Sequence, residues 1–245
     1  MKGEVIMKDV PVWDLPTRFF HWLLALSVGT NLIVDPRGGW QFPVHVTAGC
    51  TALALVLFRI VWGLTGSRHS LFADFVRSPR VLLNDLRAAL RLRLDRHTGH
   101  NPLGGCMVIV LLVMTLATAT TGLFSATRQG AGGPFVGLIG GQGLGDIHGT
   151  LGNLMIFLVI LHLCGVALHY LVTRENIVGA MITGRKRLDA GVASAEPPLV
   201  SVWRAVIPAA LALALGVYLW SQAHFVSADA AGASPPPSAA VTTGD

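Results

Sequence analysis

Nine histidines are present, and five of them lie within or at the ends of long apolar runs. Ionisable residues inside membrane-length apolar segments are rare and are candidates for function. His148 and His162 are 14 residues apart, which places them within about 40° of a common helix face and about 21 Å apart along the axis. One helix is therefore predicted to offer two imidazoles on one side, one near each end.

The partners of these imidazoles must come from other helices at matching depth. His45 opens the second apolar run, level with His148, and His21 lies in the first run, in the same half as His162. Two imidazole pairs at two depths of a bundle fit two bis-histidine haems, whose irons take axial ligands on both sides of the ring. His169 follows His162 by seven residues on nearly the same face, so spacing leaves open which of the two pairs with His21.

Other chemistry fits these histidines less well. A zinc or copper site would gather three or four ligands in one place, whereas these residues are spread through the thickness of a membrane. A proton relay without haem would usually add Asp or Glu within the spans, and the apolar runs lack them. A single membrane histidine can also be a hydrogen-bonded packing residue, and that alternative stays open for each one taken alone.

Membrane helices must position these side chains. The chain has 245 residues, of which 52% are hydrophobic and 13% charged, against roughly 25% charged in soluble domains. With a mean hydropathy of +0.60, this composition excludes a soluble fold and predicts an all-α membrane protein. A spanning helix needs about 20 mostly apolar residues. Five runs are predicted to span: 19–34 (beginning nearer residue 15), 44–64, 103–124, 147–172 and 202–220.

The basic residues indicate topology. Of 18 Lys and Arg residues, 16 lie at the N-terminus or around the loops between runs two and three and between runs four and five. Only Arg37 and Arg128 lie on the other side. Because cytoplasmic loops carry the excess of positive charge, residues 1–14 are predicted to be cytoplasmic and the C-terminus periplasmic. The pI near 9.6 therefore reflects basic topology signals beside membrane helices. Membrane lipid is an expected partner, and nucleic acid is excluded.

Two further segments have recognisable patterns. Residues 68–100 form the predicted cytoplasmic loop, in which leucines alternate with arginines from residue 80 to residue 93. This pattern favours an amphipathic helix on the anionic inner leaflet, with a plain basic loop as the alternative. Residues 222–245, rich in Ala, Ser and Pro, are predicted to be a disordered periplasmic tail.

Several segments of this chain, taken together, carry a family resemblance. They are VPVWDLPTRFFHW, HVTAGC, FRIVWGLTGSRHSLFADFV, GHNPLGG, HGTLGNLMIFLVILHLCGVALHY and RENIVGAMITGRKR. With them the chain resembles the bacterial cytochrome b561 family and the cytochrome b subunits of nickel-iron hydrogenases, over residues 10–188. The resemblance implies an inner-membrane four-helix bundle, residues 15–190, that binds two b-type haems. A fifth transmembrane helix, 200–221, and the tail lie outside this shared core.

The resemblance also implies the haem ligands. His21 and His162 would bind the iron of the cytoplasmic-side haem, and His45 and His148 that of the far-side haem. His169 is then expected near a haem edge or propionate.

Two arginines are further candidates for cofactor binding. Arg18 and Arg59 lie at the predicted cytoplasmic ends of their helices and could pair with haem propionates, with topology anchoring as an equally weighted alternative. Small residues near the haem planes either admit a flat ring or pack helices. These are Gly49, Gly122 and Gly152.

The function implied is transmembrane electron transfer between the quinone pool and a periplasmic partner, with a quinone at a bundle end beside a haem edge. The partner is a cytochrome c or a hydrogenase-like enzyme. The fifth span and the tail make the hydrogenase branch the weaker one. Two alternatives remain: an oxidoreductase acting on a small periplasmic substrate such as superoxide, and a haem-free membrane anchor.

Overall fold

The computed structural model describes residues 7–34, 40–126, 132–139, 142–189 and 196–223. Most of these residues are helical. The long helices are α1 (Leu15–Ile33), α2 (Gln41–Thr65), α5 (Pro102–Phe124), α7 (Gln142–Thr173) and α9 (Val206–Ser221). The short elements are β1 (Met7–Pro11), α3 (Phe72–Phe75), α4 (Pro79–Leu90), α6 (Val136–Ile139), α8 (Ile177–Thr183), β2 (Arg185–Asp189) and 3-10 turns at Arg68–Ser70 and Val202–Ala205. Arg37, Arg128 and residues 224–245 of the predicted tail lie outside the described residues.

Four helices in the described ranges are long and apolar enough to cross a membrane. They are Gln41–Thr65, Pro102–Phe124, Gly143–Thr173 and Val202–Ser221. These helices coincide, to within a few residues, with runs two to five. That the last of them forms a fifth transmembrane span stays a prediction. The first run also forms a helix, α1, which begins at the expected Leu15. Its hydropathy is lower because it contains Arg18, His21 and Asn31, so its membrane crossing stays a prediction.

Asparagine, aspartate and proline residues mark the starts of several helices. The Asp14 carboxylate accepts a hydrogen bond from Thr17 N at 2.8 Å and caps α1, and the Asn101 side chain accepts from Gly104 N at 2.6 Å and caps α5. Proline follows in the first turn of both helices, where its missing N–H has no intrahelical acceptor to lose. These local signals fix where the long helices begin, and hence the depth of their histidines.

The long helices pack as a bundle around α2. Helix α1 lies against α2, α2 against α5, α5 against α7, and α9 against α2. Phe20, Val56, Trp62 and Leu112 are buried between α1, α2 and α5. Many apolar side chains of α7 and α9 are exposed, as helices that face lipid acyl chains require.

The all-α prediction omitted a small sheet. Strands β1 and β2 pair antiparallel, with Pro11 opposite Arg185 and Lys8 opposite Leu188. The sequence contained no signal for this sheet, because its strands are short and polar and are far apart in the chain, with no hairpin turn between them. The sheet joins the segment before α1 to the segment after α8.

Helix α4 confirms the helical part of the prediction for the 68–100 loop. None of its residues is buried, and Val81, Leu83 and Leu86 are exposed. The Asp85 carboxylate accepts a hydrogen bond from Leu103 N at 3.2 Å, which links α4 to the start of α5. That α4 lies on an anionic lipid surface stays a prediction.

Candidate cofactor-binding site

His45 of α2 and His148 of α7 face each other. Their ring centroids are 5.9 Å apart and their planes are 85° apart. Two imidazoles on opposite sides of one metal ion have centroids about 6 Å apart, because each metal–nitrogen bond is about 2 Å long. The separation of this pair therefore fits one bis-histidine metal position.

A backbone carbonyl orients His148. Its Nδ1 lies 2.9 Å from the carbonyl oxygen of Thr118 on α5. A carbonyl can only accept, so Nδ1 carries the proton and Nε2 keeps its lone pair. Hydrogen bonding of one ring nitrogen is the usual way in which a histidine ligand presents the other nitrogen to a metal.

A cavity of about 330 Å³ lies beside this pair, at the end of the bundle where α2 and α7 begin. Ligand pockets measure roughly 300–1,000 Å³. Most of the lining is apolar or small, which suits a flat apolar ring. The lining includes His45, His148, Phe42, Val46, Met155, Gly49, Gly122, Gly149 and Gly152.

Two of the predicted glycines have different roles. A Cβ at Gly122 would lie 3.0 Å from Cε1 of His148, so the absence of a side chain makes room for the imidazole. A Cβ at Gly152 would meet no described atom within 4 Å. Because Gly152 lines the cavity, its missing side chain leaves that space open.

The second predicted pair lies nearer the other end of the bundle, where α1 begins and α2 ends; we call this the Asp14 end. His21 of α1 and His162 of α7 are close enough to interact electrostatically, and both are half-buried. Among the described residues, Nδ1 of His21 is buried without a hydrogen-bond partner. The structure thus brings His45 and His148 together and places His21 within electrostatic range of His162. That these residues bind haem stays a prediction.

His169 makes a different set of contacts. Its Nε2 bonds the Glu175 carboxylate at 3.0 Å, and the other Glu175 oxygen lies 2.9 Å from Nζ of Lys186. Burial raises the pKa of Glu175, but hydrogen bonds from His169 and Lys186 outweigh it and lower the pKa to about 2. His169 is thus part of a buried ionic network that ties the end of α7 to β2.

The two predicted arginines differ in their surroundings. Arg18 donates from Nη1 to the carbonyl of Ile182 at 2.6 Å. Arg59 is only 2% exposed, and its guanidinium carbon lies 5.0 Å from the ring centroid of Phe72. In the described part of the chain, Arg18 Nε and Arg59 Nη1 are buried with no hydrogen-bond partner. Both arginines could therefore take up an anion such as a propionate.

Asp14 is a structural residue for which the sequence predicted no role. It is 2% exposed, and its carboxylate accepts hydrogen bonds from Ser70 Oγ at 2.9 Å, Trp62 Nε1 at 3.1 Å and Ser67 N at 3.3 Å. Burial raises the pKa of Asp14, but hydrogen bonds, those of Thr17 and Ser67 foremost, bring it below its ordinary value. Its bonds to Trp62 and Ser67, at the end of α2, depend on the tertiary fold.

The donor set fits haem better than a bare metal ion. Within the described ranges, no group of three or more His, Cys, Asp or Glu side chains could hold a metal ion. A bis-histidine haem needs only two protein ligands, because the porphyrin nitrogens supply the others. Paired imidazoles beside an apolar cavity meet that requirement.

A comparison with protein families agrees with this geometry. The family model described as prokaryotic cytochrome b561 matches residues 12–184, well over half of the chain. Neither the search of curated proteins nor the search of solved structures gave a significant match. The matched range contains His21, His45, His148 and His162. The chain therefore belongs to the prokaryotic cytochrome b561 family, whose members transfer electrons across membranes by means of haem b.

Proposed function

We propose that the chain carries electrons through two bis-histidine b haems, between the quinone pool and a periplasmic redox partner. The observation that best supports this is the His45–His148 pair, whose ring centroids lie 5.9 Å apart beside an apolar cavity. His21 and His162 would bind the second haem in the same manner.

The spacing of the ligands along α7 suits transfer across a bilayer. His148 and His162 are 14 residues apart, which corresponds to about 21 Å of helix, and the hydrocarbon core is about 30 Å thick. The haem supplies the one-electron redox chemistry. The chain's own residues hold the imidazoles in place, as the Thr118 carbonyl does for His148, and surround them with apolar side chains that exclude water.

The distribution of basic residues supports an orientation for this path. The Asp14 end carries most of the Lys and Arg and would face the cytoplasm. The His45–His148 pair would then lie nearer the periplasm. With α9 as a fifth span, the tail from residue 222 onward would be periplasmic, where it could meet a partner.

The electron donor and acceptor are proposed from the family function. A quinone would bind at a bundle end beside a haem edge, and the periplasmic partner would be a cytochrome c or a hydrogenase-like enzyme. Anaerobic addition of a quinol to the protein in lipid nanodiscs tests the first part, and reduced b-type bands are expected. Failure of several quinols to reduce a haem that dithionite reduces would exclude the quinone link.

The ligand pairing is tested by two substitutions in the purified full-length protein. We expect two haems per chain in the wild type, and one in each of His45→Ala and His21→Ala, because each loses an axial ligand of a different haem. His97→Ala is the control, since His97 lies in the loop before α5 and contributes its backbone carbonyl to Lys186. It should retain both haems.

Three results would contradict parts of this proposal. A dithionite-reduced wild type without b-type bands would leave a haem-free anchor as the function. A haem-to-protein ratio near one would remove one of the two pairs. Two haems in both histidine variants would show that the pairing is wrong.

A further inference from the structure

We propose that His100 binds a propionate of the haem held by His21 and His162, and that Arg59 binds the same carboxylate group or its neighbour. The inference rests on the proposed function, because it requires a haem at that pair. It adds a cofactor-binding residue on the loop before α5, outside the four long helices of the proposed haem core.

His100 sits in an aromatic enclosure with an unused nitrogen. Its ring centroid lies 4.6 Å from that of Trp13 and 4.7 Å from that of Phe75. Among the described residues, its Nδ1 is buried without a hydrogen-bond partner. A buried polar nitrogen left unpaired is unfavourable, so a group that hydrogen-bonds it would stabilise this loop.

The charges around His100 favour an anionic partner. The residue is partly exposed, but its Nδ1 is buried. Burial, followed by the positive charges of Arg59 and Lys186, lowers the pKa of His100 to about 3. In either protonation state the ring carries at least one N–H that can donate to a carboxylate.

Arg59 gives an independent reason to expect an anion here. Its guanidinium is buried, and within the described ranges Nη1 has no hydrogen-bond partner. Asp14 is the carboxylate that interacts with it electrostatically, but the Asp14 oxygens already accept from Thr17, Ser67, Ser70 and Trp62. A buried charge without its own hydrogen-bonded counter-ion is unfavourable.

The position of this pair of donors indicates which anion they bind. His100 interacts electrostatically with both Arg59 and His21, so the two unused donors lie on the same side of the bundle as a proposed iron ligand. Haem is an apolar ring with two carboxylates, which are its only anionic groups. A propionate therefore supplies the missing acceptor at the place where the ring is expected.

The test uses the full-length holoprotein in lipid nanodiscs and three variants. His100→Leu removes the donor, His100→Gln keeps an N–H donor, and His97→Leu is the control in the same loop. Redox titration gives the reduced-to-oxidised ratio of each haem. Infrared difference spectra of protein grown with haem labelled with ¹³C in its propionates report on those carboxylates directly. Each variant is also made in the His45→Ala and His21→Ala backgrounds, to assign the effect to one haem.

We expect His100→Leu to lower the reduced-to-oxidised ratio of one haem about tenfold at a fixed potential, because an unbonded propionate charge opposes the added electron. The labelled carboxylate band should shift as well. The effect should persist with His45→Ala, vanish with His21→Ala, and be largely reversed in His100→Gln. Loss of that haem from His100→Leu, with retention in His100→Gln, also supports the proposal.

An unchanged ratio and carboxylate band in His100→Leu would overturn the assignment. The assignment would also be overturned if His97→Leu changed the reduced-to-oxidised ratio as much as His100→Leu, or if His100→Gln did not restore it. Either result would indicate a general effect on the loop. A wild type that contains no haem would instead refute the proposed function, so the two failures are distinguishable.

Discussion

Substitution of Gly122 tests whether the space beside His148 holds a haem ligand in a fixed position. A Cβ at residue 122 would lie 3.0 Å from Cε1 of His148 and 3.2 Å from its Nδ1. The imidazole would have to move by a few tenths of an ångström, while its 2.9 Å bond to the Thr118 carbonyl resists that movement. Overpacking of this kind costs about 1–3 kcal/mol. We therefore expect Gly122→Ala to weaken the binding of one haem by about five- to 150-fold.

The assay is haem titration into the purified protein, with the reduced spectrum used to count the sites. Gly165→Ala is the matched control, because Gly165 is exposed on α7 and a Cβ there would meet no described atom within 4 Å. It should keep both haems at wild-type affinity. Equal haem binding by Gly122→Ala and the wild type would refute the reasoning, since it would mean that the orientation of His148 does not matter for the cofactor.

Three further predictions concern the supports of the site. Asp14→Asn should lower the free energy of unfolding by about 2 kcal/mol, because an amide replaces a buried carboxylate that accepts several hydrogen bonds; thermal unfolding in detergent measures this, with exposed Asp9→Asn as the control. Glu175 has a lowered pKa of about 2. Its contribution to the free energy of unfolding should therefore be complete above its ordinary pKa near 4.5 and be lost as the pH falls towards 2. Glu175→Gln should remove this pH dependence of the free energy of unfolding. The backbone amides of α4 should exchange hydrogen for deuterium more slowly on anionic than on zwitterionic nanodiscs, because each arginine near an anionic surface contributes about 1 kcal/mol to binding. The double substitution Arg80→Glu and Arg87→Glu should abolish this difference.

The sequence predicted the long helices well, because membrane-length apolar runs have few alternative structures. Runs two to five form helices close to the predicted bounds, and Asp14 with Pro16 marks the start of α1. The β1–β2 sheet could not be predicted, because its two strands are distant in the chain and their pairing depends on the tertiary fold.

The paired histidines were predictable in part. Helical periodicity placed His148 and His162 on one face of α7, but spacing alone left His162 and His169 equivalent as partners of His21. In the structure, His169 bonds Glu175 and His162 interacts electrostatically with His21, so the contacts favour His162. Which of the two binds the iron stays a prediction. The bonding of His148 to a carbonyl of α5 involves the backbone of another helix, which no residue type signals.

The two imidazole pairs are supported by different means, and the charge distribution of the chain explains why. Basic residues concentrate at the Asp14 end, and some of them are buried there, as Arg59 and Lys186 are. A buried cation needs a counter-charge, and Glu175 provides one for Lys186. Arg59 Nη1 and His100 Nδ1 have no hydrogen-bond partner among the described residues, and we propose that an anionic ligand pairs with them. At the opposite end, a backbone carbonyl holds His148. If the proposed propionate site is correct, the charge bias that favours one orientation in the membrane also places the anion site at the Asp14 end.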